Sequence, residues 1–127
     1  MEMLYRIAPA ADVRTAANQG YFESADLAAE GFIHCSFLHQ VLGVSRRHYA
    51  GQQNLVLFSI DPAAVESEIR VENTSGGTEL YPHIYGRVPW AAVEQVYADT
   101  YDEAGLFCLP MELRAEAIGD GANLSDE

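Results

Sequence analysis

One run of six residues, Leu55-Val56-Leu57-Phe58-Ser59-Ile60, limits the fold more than any other stretch. It is apolar almost throughout and shows no alternation. A strand in the middle of a sheet, covered on both faces, reads this way. Asp61-Pro62 ends the run, and Pro62 suits the first turn of a short helix through Val65.

The rest of the chain must build the sheet and its covers. Met3 to Ile7 reads as a first strand. Pro9 to Gln19 reads as a helix, rich in alanine and stopped by Gly20. Ser24 to Glu30 suits a short helix capped by Ser24, and Gly31 ends it before a strand over Phe32 to Ser36. Ser36 also suits the cap of a helix from Phe37 to Tyr49, whose inner face would carry Leu38, Val41, Leu42 and Ser45. Strands follow at Ile69–Glu72, Leu80–Tyr85 and Val93–Tyr101, with a turn over Asn73 to Gly77 and a short helix starting at Pro89. Pro82 argues for an edge or a bulge in its strand. The helices are few and short and several strands connect by turns, so the fold class is α+β, with a mixed or antiparallel sheet.

The chain has 127 residues, which fits one domain with a core large enough to need no disulfide or metal staple. Residues 1–113 are expected to form that domain. Residues 114–127 are small, polar and acidic and are expected to be a disordered tail. No apolar run approaches the roughly 20 residues of a membrane span, and Met1 to Arg6 lacks the pattern of a signal peptide. A cytoplasmic location and no membrane partner are therefore expected. The two cysteines, Cys35 and Cys108, form no C-x-x-C pair, so a zinc ribbon is not indicated.

A formal net charge of −12 disfavours nucleic acid as a general partner, because phosphate backbones are repelled and no basic stripe offsets the charge. All seven basic residues are arginines, which excludes Schiff-base lysine chemistry and leaves room for an arginine site for a small anion.

Polar chemistry gathers on two strand motifs. Side chains alternate faces along a strand. In Gly31-Phe32-Ile33-His34-Cys35-Ser36, the apolar face takes Ile33 and Cys35, where a buried thiol is inert, and the other face takes His34 and Ser36. In Glu79-Leu80-Tyr81-Pro82-His83-Ile84-Tyr85-Gly86, one face takes Leu80, Pro82 and Ile84 and the other takes Glu79, Tyr81, His83 and Tyr85. If both polar faces line one cleft, imidazoles for proton transfer, a carboxylate for acid–base or hydroxyl-orienting work and phenols for stacking converge there. A solvated sheet face would show the same alternation. His34, His83 and Glu79 are also admissible metal ligands, although no H-x-H or H-E-x-x-H spacing is present. Arg46, Arg47 and His48 close a helix, where positive charge suits the C-terminus; Arg47 is the candidate for gripping an anion. Trp90 reads as core.

These motifs, with Leu4-Tyr5-Arg6-Ile7 and the Leu55–Asp61 strand, resemble the bacterial domain-of-unknown-function family DUF 952 from about residue 4 to residue 109. The resemblance implies a fold similar to ADP-ribosyltransferases and RNA 2′-phosphotransferases: a split, mixed or antiparallel sheet around a cleft that binds NAD in those relatives. It implies a ribose or nicotinamide contact for His34 and a hydroxyl-orienting role for Glu79. In those relatives a tyrosine precedes the late glutamate, whereas here Tyr81 and Tyr85 follow Glu79. The expected function is binding of NAD or a related nucleotide, with His34, Glu79 and His83 as catalytic candidates and Ser36, Tyr81, Tyr85 and Arg47 as ligand contacts. NAD would be a substrate, not a resident cofactor. A non-catalytic binding module on the same fold and a metal-assisted hydrolase using His34, His83 and Glu79 are the alternatives.

Overall fold

The computed structural model describes residues 1–120, the last four as backbone only. Among these residues eight strands and four α-helices follow in the order β1 (Leu4–Pro9), α1 (Ala10–Gln19), β2 (Tyr21–Phe22), α2 (Ala25–Glu30), β3 (Ile33–His34), α3 (Val41–His48), β4 (Leu55–Ile60), β5 (Ile69–Glu72), β6 (Tyr81–Ile84), β7 (Val88–Pro89), β8 (Val93–Tyr97) and α4 (Met111–Asp120). Short 3₁₀ turns stand at Leu38–Gln40, Pro62–Ala64 and Trp90–Ala92. The class is α+β, and every strand pairing among the described residues is antiparallel.

The Leu55–Ile60 run is the middle strand of a sheet ordered β1-β4-β8, buried along its whole length. Alternation divides the core into two. Leu4, Ala8, Val56, Phe58 and Ile60 pack on one face with Val13 and Ala16 of α1. Tyr5, Ile7, Leu55, Leu57 and Tyr97 pack on the other with Val41 of α3 and Leu113 of α4. A strand buried on both faces has no polar side to show, hence the near-continuous apolar run.

A second three-stranded sheet is ordered β3-β6-β5, and a third sheet pairs β2 with β7. The first two are stitched by a bridge in which Tyr5 and Ser36 exchange both backbone hydrogen bonds, at 2.8 and 2.9 Å. The sheet is thus split at Ser36, where the chain leaves β3 and reaches β1.

Pro82 overturns one expectation, because β6 is the central strand of its sheet and not an edge. The Cys35 amide donates to the Pro82 carbonyl at 3.0 Å, and proline has no N–H to return the bond. The ladder between β3 and β6 ends there, after Ile33↔Ile84 and His34↔His83. One missing donor shortens β3 from the five residues its sequence suggests, and the β5 side of Pro82 is unaffected because its ring nitrogen faces away from that strand.

Three further expectations change. The Phe37–Tyr49 helix begins as a 3₁₀ turn, and its first amide, that of Phe37, is satisfied by the Gln40 side chain at 3.0 Å rather than by Ser36. The last strand stops at Tyr97; Tyr101 instead bridges to Phe107 and donates its hydroxyl to the Gln52 carbonyl at 2.9 Å. Residues 114–120 continue helix α4 instead of forming a tail, with Leu113 buried against the second core. The remainder of the expected tail, 121–127, lies outside the described residues.

Candidate functional site

A cleft of about 830 Å³ opens where the split sheet meets α2 and α3, a size typical of small-molecule sites. His34, Ser36, Arg47, Glu79, Tyr81 and His83 all line it. The two motifs do meet.

His34 and His83 are cross-strand register partners. The bond from Cys35 to Pro82 makes the neighbouring position the hydrogen-bonded one, so the histidines occupy a non-hydrogen-bonded pair, in which side chains stand closest. Their ring centroids are 5.1 Å apart at 75°. Phe32 stacks on His83 at 4.2 Å and 19° and meets the His34 ring edge-on at 4.8 Å.

Each imidazole is held by a carboxylate. Asp26, in the first turn of α2, accepts from His34 Nδ1, from the His34 amide and from Arg6 Nη1, each at 2.9 Å, through the same Oδ2. Its Oδ1 takes the Ser24 hydroxyl, so Ser24 bonds that carboxylate and not the helix amides it was expected to cap. Burial pushes the Asp26 carboxyl up, but the His34 ring, the Arg6 guanidinium, the His34 amide and the Ser24 hydroxyl together outweigh it and hold the group well below its ordinary value. Arg6 also donates to the His34 carbonyl at 2.9 Å, while its buried Nε has no hydrogen-bond partner.

Glu72, at the end of β5, accepts from His83 Nδ1 at 2.9 Å and from the Tyr85 hydroxyl. The Tyr85 and His83 hydrogen bonds hold its carboxyl below the ordinary range. Glu72 lies opposite Tyr81 in register, so it reaches His83 diagonally across the ladder. The His83 side chain is 3% exposed and that of His34 44%. In both rings Nδ1 lies against a carboxylate, which favours a proton there and leaves Nε2 as the working nitrogen; that of His34 stands 3.9 Å from Glu30 Oε1.

On the facing wall, Gln40 is buried and donates to Glu79 Oε2 at 3.0 Å and to the Leu80 carbonyl at 2.8 Å. Tyr81 donates to Glu79 Oε1 at 3.2 Å, and Arg47 donates to the Tyr81 hydroxyl at 2.6 Å. Glu79 is therefore fixed at the cleft by an amide and a phenol.

Tyr85 departs from its expected place. Alternation puts it on the polar face, but it lies past the end of β6, its hydroxyl is bound to Glu72, and the Arg70 guanidinium covers its ring at 4.4 Å. It does not line the cleft; it buttresses Glu72 from behind. The metal set of His34, His83 and Glu79 does not assemble either. Glu79 stands with Gln40 and Tyr81, and among the described residues no three His, Cys, Asp or Glu side chains form a metal-holding group. Cys35 is buried on the core face, and burial pushes its thiol up to about 12. Trp90 packs on Phe58 at 5.8 Å, as core.

Sequence reasoning did not single out Asp26, Arg6 or Gln40 as site residues. Glu72 shares one strand face with Arg70, a place that fits either a cross-strand pair or the border of the cleft. Asp26 reads locally as an acid favouring a helix N-terminus.

The fold and the cleft define an antiparallel α+β protein with a paired-histidine, carboxylate-backed pocket. The chain belongs to the family described as Protein of unknown function (DUF952), whose profile matches residues 7–96. It is similar to the protein CC0527 from Caulobacter crescentus. The crystal structure of that protein is 28% identical in sequence, with a TM-score of 0.75, 91% of this chain covered and 98% of that one. Its solution NMR structure is 30% identical, with the same TM-score and 91% and 99% covered. No curated protein matches. Among the described residues no helix is long and apolar enough to cross a membrane.

Proposed function

We propose that this chain binds NAD or a related nucleotide in the cleft between the two motifs, as an ADP-ribosyltransferase-like domain. The observation that carries the reading is the convergence of His34, His83, Glu79, Tyr81 and Arg47 on one pocket of small-molecule size. His34, oriented by Asp26, contacts the ribose. Glu79, held by Gln40 and Tyr81, orients a hydroxyl or stabilises an oxocarbenium-like ribose as nicotinamide leaves. Arg47 meets a phosphate oxygen by giving up its bond to the Tyr81 hydroxyl. Tyr81, in place of Tyr85, is the phenol available to a ligand.

The test is calorimetric titration with NAD followed by an assay of nicotinamide release. Glu79→Gln should lower turnover far more than it weakens binding; equal losses in both contradict the role given to Glu79. Binding with no nicotinamide release would favour the alternative, a non-catalytic module on the same fold.

A further inference from the structure

We propose that His34 and His83 act together as an acid–base pair on a nucleotide phosphodiester, with Asp26 and Glu72 as the positioning residues that present Nε2 of each ring. The proposal deepens the nucleotide reading above and rests on it.

Three observations lead to it. First, the cleft holds two imidazoles and not one, side by side at 5.1 Å, each with Nδ1 2.9 Å from its own carboxylate oxygen. Such a bond fixes both ring orientation and tautomer. Departure of nicotinamide from NAD needs no proton, because the ring leaves neutral. A transfer that needs one base leaves a second oriented imidazole unused. Cleavage of an ester needs both, because the nucleophile loses a proton while the departing oxygen gains one.

Second, Arg6 and Arg47 reach the same cleft. Among the described residues the buried Arg6 Nε lacks a hydrogen-bond partner, and Arg47 hydrogen-bonds the Tyr81 hydroxyl. Guanidinium groups suit the non-bridging oxygens of a phosphate. Third, Asp12, Glu30 and Glu79 share the lining and oppose a polyanion. A phosphate esterified on both sides, with one negative charge as each phosphate of NAD also carries, suits that balance better than the terminal phosphates of a triphosphate.

The step balances without a further reactant. His34, the more exposed ring, takes a proton on Nε2 from water as the water oxygen bonds to phosphorus. The phosphorus–oxygen bond to the ribose breaks. The departing ribose oxygen takes the proton from Nε2 of a protonated His83, whose positive charge Glu72 offsets. The products are a phosphomonoester and a free hydroxyl, and the two rings exchange one proton with solvent to reset.

The experiment is phosphorus NMR of the full chain incubated with 2′,3′-cyclic AMP, beside nitrogen NMR of both imidazoles. Hydrolysis to the monoester is expected, with His34→Ala and His83→Gln each slower by about 100-fold or more. Asp26→Asn and Glu72→Gln should each slow it and convert the affected ring from the Nδ1–H tautomer to a mixture, a change that mere loosening of the fold would not confine to one ring. Should His83→Gln not fold, Glu72→Gln carries the same test. Hydrolysis that survives both histidine substitutions, or wild-type rings whose Nδ1 carries no proton, overturns the proposal. No hydrolysis while NAD or the cyclic nucleotide still shifts the cleft amides overturns the proposal and leaves the nucleotide reading standing. No shift with either nucleotide overturns both.

Discussion

His34 and His83 face each other across the β3–β6 ladder, yet one ring is nearly half exposed and the other is buried against Phe32. Their substitutions should therefore separate stability from binding. His83→Ala removes a stacked ring and leaves Glu72 short of a partner, at a cost of about 2–3 kcal/mol. His34→Ala should cost no more than about 1 kcal/mol, because Asp26 keeps Arg6, Ser24 and the His34 amide. Urea unfolding of both variants measures the difference. Equal costs would contradict the burial assigned to His83.

Asp26 gives the protein a dependence on acid. Its carboxyl titrates lower when folded than its ordinary value of 3.8. A depressed group stabilises the fold above its unfolded pKa, and that contribution is lost as pH falls toward the folded value. The wild type should therefore lose stability as pH drops below about 4. Asp26→Asn should be less stable at neutral pH by about 3 kcal/mol, since Arg6 is left buried without its ion partner. The variant should also show a flatter curve below pH 4. Urea midpoints collected between neutral and acid pH test both the offset and the slope.

Gln40 holds together elements that lie 39 and 40 residues apart in sequence. Gln40→Ala leaves the Phe37 amide and the Leu80 carbonyl without this partner and should cost about 2–3 kcal/mol. Gln40→Glu should be at least as harmful, because it sets a second carboxylate against Glu79 and replaces the donating amide. Thermal melts compare the two; a neutral Gln40→Glu would show that Glu79 is not held as described.

The glycine that closes the second motif is there for space. A Cβ at Gly86 would stand 2.8 Å from the Ser67 Cβ, with the Ser67 hydroxyl closer still. Gly86→Ala should destabilise by about 1–3 kcal/mol, and Ser67→Gly in the same chain should recover most of it. No recovery would locate the cost elsewhere.

How far the sequence could be read depended on the range of each interaction. The Leu55–Ile60 strand and the polar row at Glu79, Tyr81 and His83 were legible because period and burial are local properties. The cleft between the motifs was legible only as a condition, since no local pattern fixes the register that sets His34 beside His83. Asp26 escaped notice because its partners, Arg6 and His34, lie 20 and 8 residues away. Pro82 misled because a missing donor matters only on the side where a neighbour waits for it, and that side is set by the ladder. Tyr85 misled because it keeps the face of His83, sharing Glu72 with it, yet a shared strand face does not decide which side chains reach the cleft. The small, acidic residues after Arg114 looked like tail, yet Leu113 anchors their first turn to the core.

The two cysteines should differ sharply. Cys35 is buried and its thiol is pushed up to about 12, while Cys108 is half-buried. A native-state thiol assay should modify Cys108 and leave Cys35 untouched until unfolding.

The central claim is that a nucleotide occupies the cleft shared by the two motifs. Amide-resolved NMR titration of the full chain with NAD, with adenosine diphosphate ribose and nicotinamide as separate probes, tests it most directly. The expected result is saturable shifts concentrated on residues 32–36 and 79–83, with Asp26 and Arg47 moving at the same ligand concentrations. An absence of shifts at millimolar ligand, or shifts confined to residues away from the cleft, would contradict it.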